Sequence, residues 1–525
     1  MKQRIFLTIL CLTATMQAGA RTMITNQSRF IVRPPVVTMT TTKGTISLYV
    51  KWTGSGSLTA NGVYLRSDDF THIVAADDGS VVLEASASSI QITHLWCYSR
   101  GLTALNISDC PKLTELRCEE NRLTNLEIIN CPELTKLQCN SNALTNLNIT
   151  NCPELTELRC NNNSLTTLDI SKCSKLTMLE CSDNPLSAFD VTNCPKLLEM
   201  YCSRNSLSVL DVAPCRELTR LNCSYNPLIT LDVTNCLKLT YLACYRNSSL
   251  TNLVITNCPE LTEIICYGNS LTNLKITNCP KLKKLTCYNN SLSALDVSNS
   301  PELAKLSCYN NTLTDLNVTN CPKLLALSCE RNSLSALDVA TCPELTEIYC
   351  YENSLVSLDV TDCPKLTSLF CYNNSLTDID VNNCPKLRRL HCYNNSLTAL
   401  DVTSCQELTE LKCNNNFLIA LDVTNCPKLG ELYANHQTPT LPEATPRGAK
   451  LRIINPVSFG KTTIRVGNIS HEGTHTDRNI NWKTRGKSGE VTFDFVAKLP
   501  AGVNNADGAP FSGTVTQPWS KNKNK

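Results

Sequence analysis

From Ile92 to about Gln437 the chain repeats itself every 21 residues. One copy, Leu366 to Lys386, reads LTSLFCYNNSLTDIDVNNCPK, with apolar side chains at positions one, four, six, eleven, fourteen, sixteen and nineteen. Seventeen copies can be counted, and position six is cysteine in sixteen of them, from Cys97 through Cys413. Only the eighth copy departs in length, by one residue at Ser248-Ser249, which predicts a bulge at the surface. A period of this kind decides the architecture before the total of 525 residues says anything about domain number.

A single copy has too few apolar side chains to shield itself, so copies must stack around one continuous core, and the ends of the stack need cover. Positions four and six alternate with polar positions three, five and seven, the pattern of a short strand with one buried face. Seventeen such strands, about 4.8 Å apart, form a ribbon of about 80 Å, with positions three, five and seven in rows on one extended, concave face. Asparagine holds position nine in fifteen consecutive copies, Asn121 through Asn416. Its amide can bond the backbone of its own turn and of the next copy, pairing polar groups that burial would otherwise strand.

The pattern L-x-x-L-x-C-x-x-N-x-L is a leucine-rich-repeat signature with cysteine in place of one leucine. The fold class expected is therefore an α/β-type leucine-rich-repeat solenoid, mostly short parallel strands and turns with little helix, with small β-rich modules at both ends. The segment from Leu369-Phe370-Cys371 through Leu376 to Val381, with Ile379 and Asp380 between, resembles the internalin family of bacterial surface proteins. It is most similar to the internalin J type, whose 21-residue repeats carry a cysteine ladder. The likeness covers about two thirds of the chain, and the added Asn383-Cys384-Pro385 is similar to surface proteins of anaerobic Gram-negative bacteria. The resemblance implies adhesion to host or neighbouring cells, biofilm formation or virulence, and the chain is expected to be a secreted or surface-exposed monomer, outer-membrane-associated or extracellular. Its partner would be a protein or a cell-surface glycan of a host or neighbouring cell, with no cofactor and no catalysis. A structural or assembly protein of the envelope is the second reading. Leu441-Pro442-Glu443-Ala444-Thr445 departs from the sortase signal of Gram-positive relatives, because its threonine is misplaced and no glycine follows.

Met1 to Ala20 reads as a signal peptide: Lys2 and Arg4 precede a short apolar stretch, and Ala18-Gly19-Ala20 offers small residues for cleavage. Cys11 lacks the small preceding residue that a lipid anchor needs. Residues 21–91 alternate as strands do, through Ile46, Leu48, Val50 and Trp52, and are expected to form an N-terminal β cap. Residues 438–525 open in a Pro/Thr-rich linker, Thr438 to Pro446, followed by strand-like runs at Leu451-Ile453, Thr463-Val466 and Val491-Phe495. The 48 basic and 46 acidic residues nearly balance, giving no electrostatic reason to bind nucleic acid, and no later apolar stretch is long enough for membrane insertion.

The chain holds 32 cysteines: Cys11, sixteen at position six and fifteen at position nineteen. Disulfides are the first expectation for an exported chain. Against them, an odd number remains once Cys11 is removed, and Ser300 and Ala434 each replace a cysteine whose would-be partners stay. Small buried packing residues tolerate such losses. No C-x-x-C pair or histidine at ligand spacing suggests a metal.

His471-Glu472-Gly473-Thr474-His475 matches H-E-x-x-H, a zinc-hydrolase motif only when a helix puts both histidines on one face. Gly467-Asn468 and Asp477-Arg478-Asn479 give it turn surroundings, and no third ligand follows, so no enzyme is expected. Aspartate recurs at position fifteen, in Asp169, Asp190, Asp211, Asp232, Asp338, Asp359, Asp380, Asp401 and Asp422. A carboxylate row could hold calcium, but like charges one rung apart repel, and capping a turn amide is the simpler role.

The binding candidates lie on the strand face. Position seven is tyrosine in Tyr245, Tyr267, Tyr288, Tyr309, Tyr351, Tyr372 and Tyr393, and position five adds Tyr349, Phe370 and His391. Copies thirteen to fifteen thus gather Tyr349, Tyr351, Phe370, Tyr372, His391 and Tyr393 into one aromatic patch. Earlier copies carry Arg117, Gln138, Arg159 and Glu180 at position five, a polar face. Aromatics are enriched at binding hot spots, yet a duplicated tyrosine can also simply stack on its neighbours, and the sequence leaves both open.

Overall fold

The computed structural model describes residues 35–441 and, beyond them, seven strand segments between 450 and 520. The signal-peptide stretch, Cys11, His471 and Glu472 lie outside the described residues. Each copy lays down one short strand, such as Ser368–Phe370, hydrogen-bonded in parallel and in register to the next, so that Tyr349 pairs with Phe370 and Phe370 with His391. Seventeen of these strands, from Gln91–Trp96 to Glu431–Tyr433, form one continuous ladder. Leu366, Leu369, Cys371 and Leu376 are fully buried, and the same positions are buried in the neighbouring rungs.

The described residues contain no helix. The return path is made of turns, because 21 residues leave little room for a helix and the Asn-Cys-Pro element interrupts one with a residue that lacks a backbone donor. A second, broken ladder runs along that side: Thr230–Asp232, Asn252–Thr256 and Asn273–Thr277 pair in parallel, as do Ala294–Asp296 and Asp315–Asn317. Position eight takes a left-handed backbone in each rung, for example Asn373 at φ 54° and Arg331 at φ 55°. This lets the chain turn sharply out of the strand. In the eighth copy Ser248 and Ser249 are exposed and Leu250 stays buried, so the extra residue is absorbed at the surface.

The asparagine ladder reaches the opposite way from expectation. Asn374 Nδ2 donates to the carbonyls of Cys371 in its own turn (3.0 Å) and Cys350 of the preceding rung (3.0 Å). Its Oδ1 accepts the N–H of Leu355, also in the preceding rung, at 2.9 Å. At the end of the array Gln437 takes over, donating to Cys413 and Ala434 and accepting from Leu418. A second ladder, unread in the sequence, comes from threonine at position two: the Thr367 hydroxyl donates to the Thr346 carbonyl at 2.9 Å.

Both ends are covered by further strands, antiparallel at the start of the array and joined by parallel bridges at its far end. Thr45–Thr53 pairs with the first rung strand Gln91–Trp96, burying Ile46, Leu48 and Val50, and Val36–Thr41 pairs with Leu102–Ser108 on the other side of that rung. At the far end Gln437 and Thr440 bridge to Gly513 and Thr516 in the strand Ser512–Ser520. The stretch read as a linker is thus held, up to Leu441, whose N–H donates to the Thr516 carbonyl. Among the described residues no helix is long and apolar enough to cross a membrane.

Candidate functional site on the strand face

The tyrosines of position seven form two face-to-face stacks. Tyr245, Tyr267, Tyr288 and Tyr309 succeed one another with ring centroids 4.7, 4.5 and 4.3 Å apart and planes within 13°. Tyr351, Tyr372 and Tyr393 follow at 4.4 Å per step. Parallel in-register strands impose this, since a ring repeated at one position meets its copy at the strand spacing. The rings are half-buried: each covers its neighbours and leaves its rim to solvent.

Position five builds a shorter row beside the second stack. Tyr349 lies flat on Phe370 at 5.0 Å, and Phe370 meets His391 edge-on at 4.3 Å. All six patch residues line one shallow depression of about 480 Å³. Lys412, Asn414 and Tyr433 complete its lining. Reading position five through to the last copies would have found Lys412 and Tyr433. Tyr245, Tyr267, Tyr288 and Tyr309 lie outside this depression, in the stack of the preceding rungs.

The depression carries charge at its edges. His391 Nε2 stands 2.8 Å from Glu410 Oε1, which also meets Lys412 Nζ at 2.7 Å. Burial holds the His391 pKa below the usual histidine value despite Glu410, so the ring is mostly neutral at pH 7. Burial and the adjacent phenols push Tyr372 well above the ordinary tyrosine range, so its hydroxyl remains a donor. The Arg389 guanidinium lies 5.4 Å from the Phe370 ring.

The early rungs differ as expected. Arg117 pairs with Glu119 at 2.7 Å, Gln138 donates to Glu157, and Arg159 bridges Glu157 and Glu180 at 2.7 and 3.1 Å. The sequence reading missed an aromatic group at the very start, where Tyr49 stacks on Trp96 at 4.1 Å and Arg117 lies 4.8 Å from the Tyr98 ring. Tyr49 and Phe70 reach it from the N-terminal strands, which repeat periodicity does not place.

Three further sequence features resolve into structure. Each position-fifteen aspartate accepts the N–H two residues on, as Asp190 does from Thr192 at 2.8 Å and Asp401 from Thr403 at 2.9 Å. These are turn caps, and the bonds lower the carboxyl pKa in both. Thr474–Thr476, the end of the H-E-x-x-H stretch with its following residue, is a strand paired to Asn479–Lys483, which rules out helical presentation there. The 31 described cysteines are free and buried, and burial pushes thiols such as Cys160 and Cys371 up to about 12.

The functional domain of InlJ from Listeria monocytogenes, whose structure includes a cysteine ladder, matches with a TM-score of 0.58 and 29% identity over 82% of this chain and 90% of that one. The chain is a leucine-rich-repeat solenoid similar to that internalin. The family Leucine Rich repeats (2 copies) matches residues 364–404, which include Phe370, Tyr372, His391 and Tyr393, and the family LRR adjacent matches residues 462–520. PEPR1, solved in complex with AtPEP1, shares the fold at TM-score 0.52 and 19% identity, over 71% of this chain and 61% of that one. YopM from Yersinia enterocolitica matches at TM-score 0.48 and 25% identity, over 67% and 85%. No curated protein matches the chain.

Proposed function

We propose that this internalin-like solenoid is an exported, non-catalytic adhesin that holds a partner protein on its strand face. The observation that carries this reading is the depression in which Tyr349, Tyr351, Phe370, Tyr372, His391 and Tyr393 converge. Its rings are ordered by stacking before any partner arrives, so little side-chain entropy is lost on contact. They offer apolar area with hydroxyl donors at the rim, beside Lys412 and Arg389, the mixture found where binding energy concentrates. In the same reading residues 21–91 and 438–525 act as terminal modules that close the array.

The test replaces Tyr351, Tyr372 and Tyr393 with alanine together and measures retention of the fluorescently labelled protein on host epithelial and neighbouring bacterial cells. Retention is expected to fall at least tenfold while the circular dichroism spectrum is kept. Cells stripped with protease should lose retention and cells stripped with glycosidase should keep it; the reverse result makes the partner a glycan. Retention equal to the parent's in a folded triple variant sinks the reading.

A further inference from the structure

The tyrosine column is broken at one rung, where Glu330 stands between Tyr309 and Tyr351. Glu330 is 8% exposed, and its Oε2 is buried with no hydrogen-bond partner. The groups around it are the Tyr309, Tyr349 and Tyr351 rings, Arg331 and Glu352. Arg331, the adjacent cation, is engaged with Glu352, Nε to Oε2 at 3.1 Å. A buried carboxylate without a counter-charge is costly.

The same arrangement occurs once more with a cation supplied, although Oε2 of that second glutamate is likewise buried without a hydrogen-bond partner. Glu119, the other position-seven glutamate, is also buried, one rung after Tyr98 as Glu330 is one rung after Tyr309. Its Oε1 takes Nε and Nη2 of Arg117, at 3.1 and 2.7 Å, and the guanidinium lies 4.8 Å from the Tyr98 ring. Arg117 sits at position five. In the Glu330 rung position five is Ser328, so the tyrosine and the carboxylate are repeated while the guanidinium is missing. Tyr309 and Tyr351 stand two rungs apart, about 10 Å, with Glu330 holding the position between them.

We propose that Glu330, between Tyr309 and Tyr351 in its column and beside the small, half-buried Ser328 at position five, receives one guanidinium group from an arginine of the partner protein. This rests on the reading that the strand face holds a protein, and it gives that partner an arginine to be read at a defined rung. The ion pair is bidentate and cation–π at once, which a lysine ammonium cannot reproduce.

The probe is a fluorescein-labelled Gly-Gly-Arg-Gly-Gly peptide, with citrulline and lysine counterparts, followed by anisotropy with the full chain. The arginine peptide is expected to bind at pH 8 at least tenfold more tightly than either counterpart, and to lose at least tenfold in Glu330→Gln. Ser328→Arg fills the notch from within and is expected to block the peptide equally. Binding of the citrulline or lysine peptide as tight as that of arginine, or an undiminished Glu330→Gln variant, overturns the assignment. Cell retention that depends on Tyr372 and Tyr393, with no arginine-peptide binding, removes the notch and leaves the wider patch standing. Peptide binding with retention indifferent to those tyrosines removes the patch as the retaining surface and leaves the notch.

Discussion

At the scale of single residues, one glutamate makes the folded state sensitive to pH. Burial raises the Glu330 pKa from 4.5 to about 7. The folded chain therefore holds a proton between those values that the unfolded chain releases, and the stability tied to it is lost as pH rises through about 7. Glu330→Gln removes the ionisable group. Its melting temperature should exceed the parent's at pH 8, by the equivalent of up to about 3 kcal/mol, and match it at pH 4. An equal gain at both pH values would mean that packing, not charge, explains the change. His391 works in the other direction: burial lowers its pKa, so its contribution is present above the ordinary histidine value and is lost as pH falls below it. The sequence disclosed the asparagines of position nine because an amide repeated at one place beside a buried strand has few other uses. It did not disclose Glu330, because an outward-facing position is read as solvated. The fold buries that carboxylate in the column between Tyr309 and Tyr351.

At the scale of elements, the strands were legible and their ends were not. Strand identity follows from alternation around Leu369 and Cys371, and register follows from the fixed period, since any slip would expose a leucine. The terminal strands carry no period. Ile46, Leu48 and Val50 announced a strand but not that it would pair with Gln91–Trp96, and nothing in Thr438 to Leu441 announced pairing with Ser512–Ser520. That last junction depends on Gly513. A Cβ there would fall 1.7 Å from the Gln437 carbonyl oxygen and 2.7 Å from its nitrogen. Gln437 donates its N–H to Ser512, accepts from Thr514, and closes the amide ladder with its side chain. Gly513→Ala should force the two strands apart at a cost of about 2 kcal/mol or more. Hydrogen exchange at the Gln437, Thr514 and Thr516 amides should quicken, while Asn374 and Leu355 in the array keep their protection. Unchanged exchange at Gln437 would show that the junction is not held at this glycine.

At the scale of the whole molecule, each rung touches only its neighbours, so the array should tolerate loss of one complete period and nothing else. Leu176 to Lys196 is such a period, lying in the polar stretch away from the aromatic patch. Its removal brings Arg159 beside Tyr201 in the strand ladder and lets Asn205 reach the carbonyl of Cys160 in place of Cys181, so every repeated bond has a substitute. The shortened chain should keep its circular dichroism shape and its cell retention, with a modest fall in melting temperature. Removing Leu176 to Pro195 instead leaves one residue too many at the join. The insertion at Ser248-Ser249 shows that the solenoid absorbs one extra residue where the turn is exposed. The join at Lys196 differs, because the added residue would lie between buried Cys173 and buried Leu197, at the entry to a strand. The 20-residue deletion should therefore melt well below the 21-residue one, and its buried thiols should react with iodoacetamide at pH 8 where those of the parent do not. Equal melting of the two deletions would show that register at the strand entry is softer than a shared core requires.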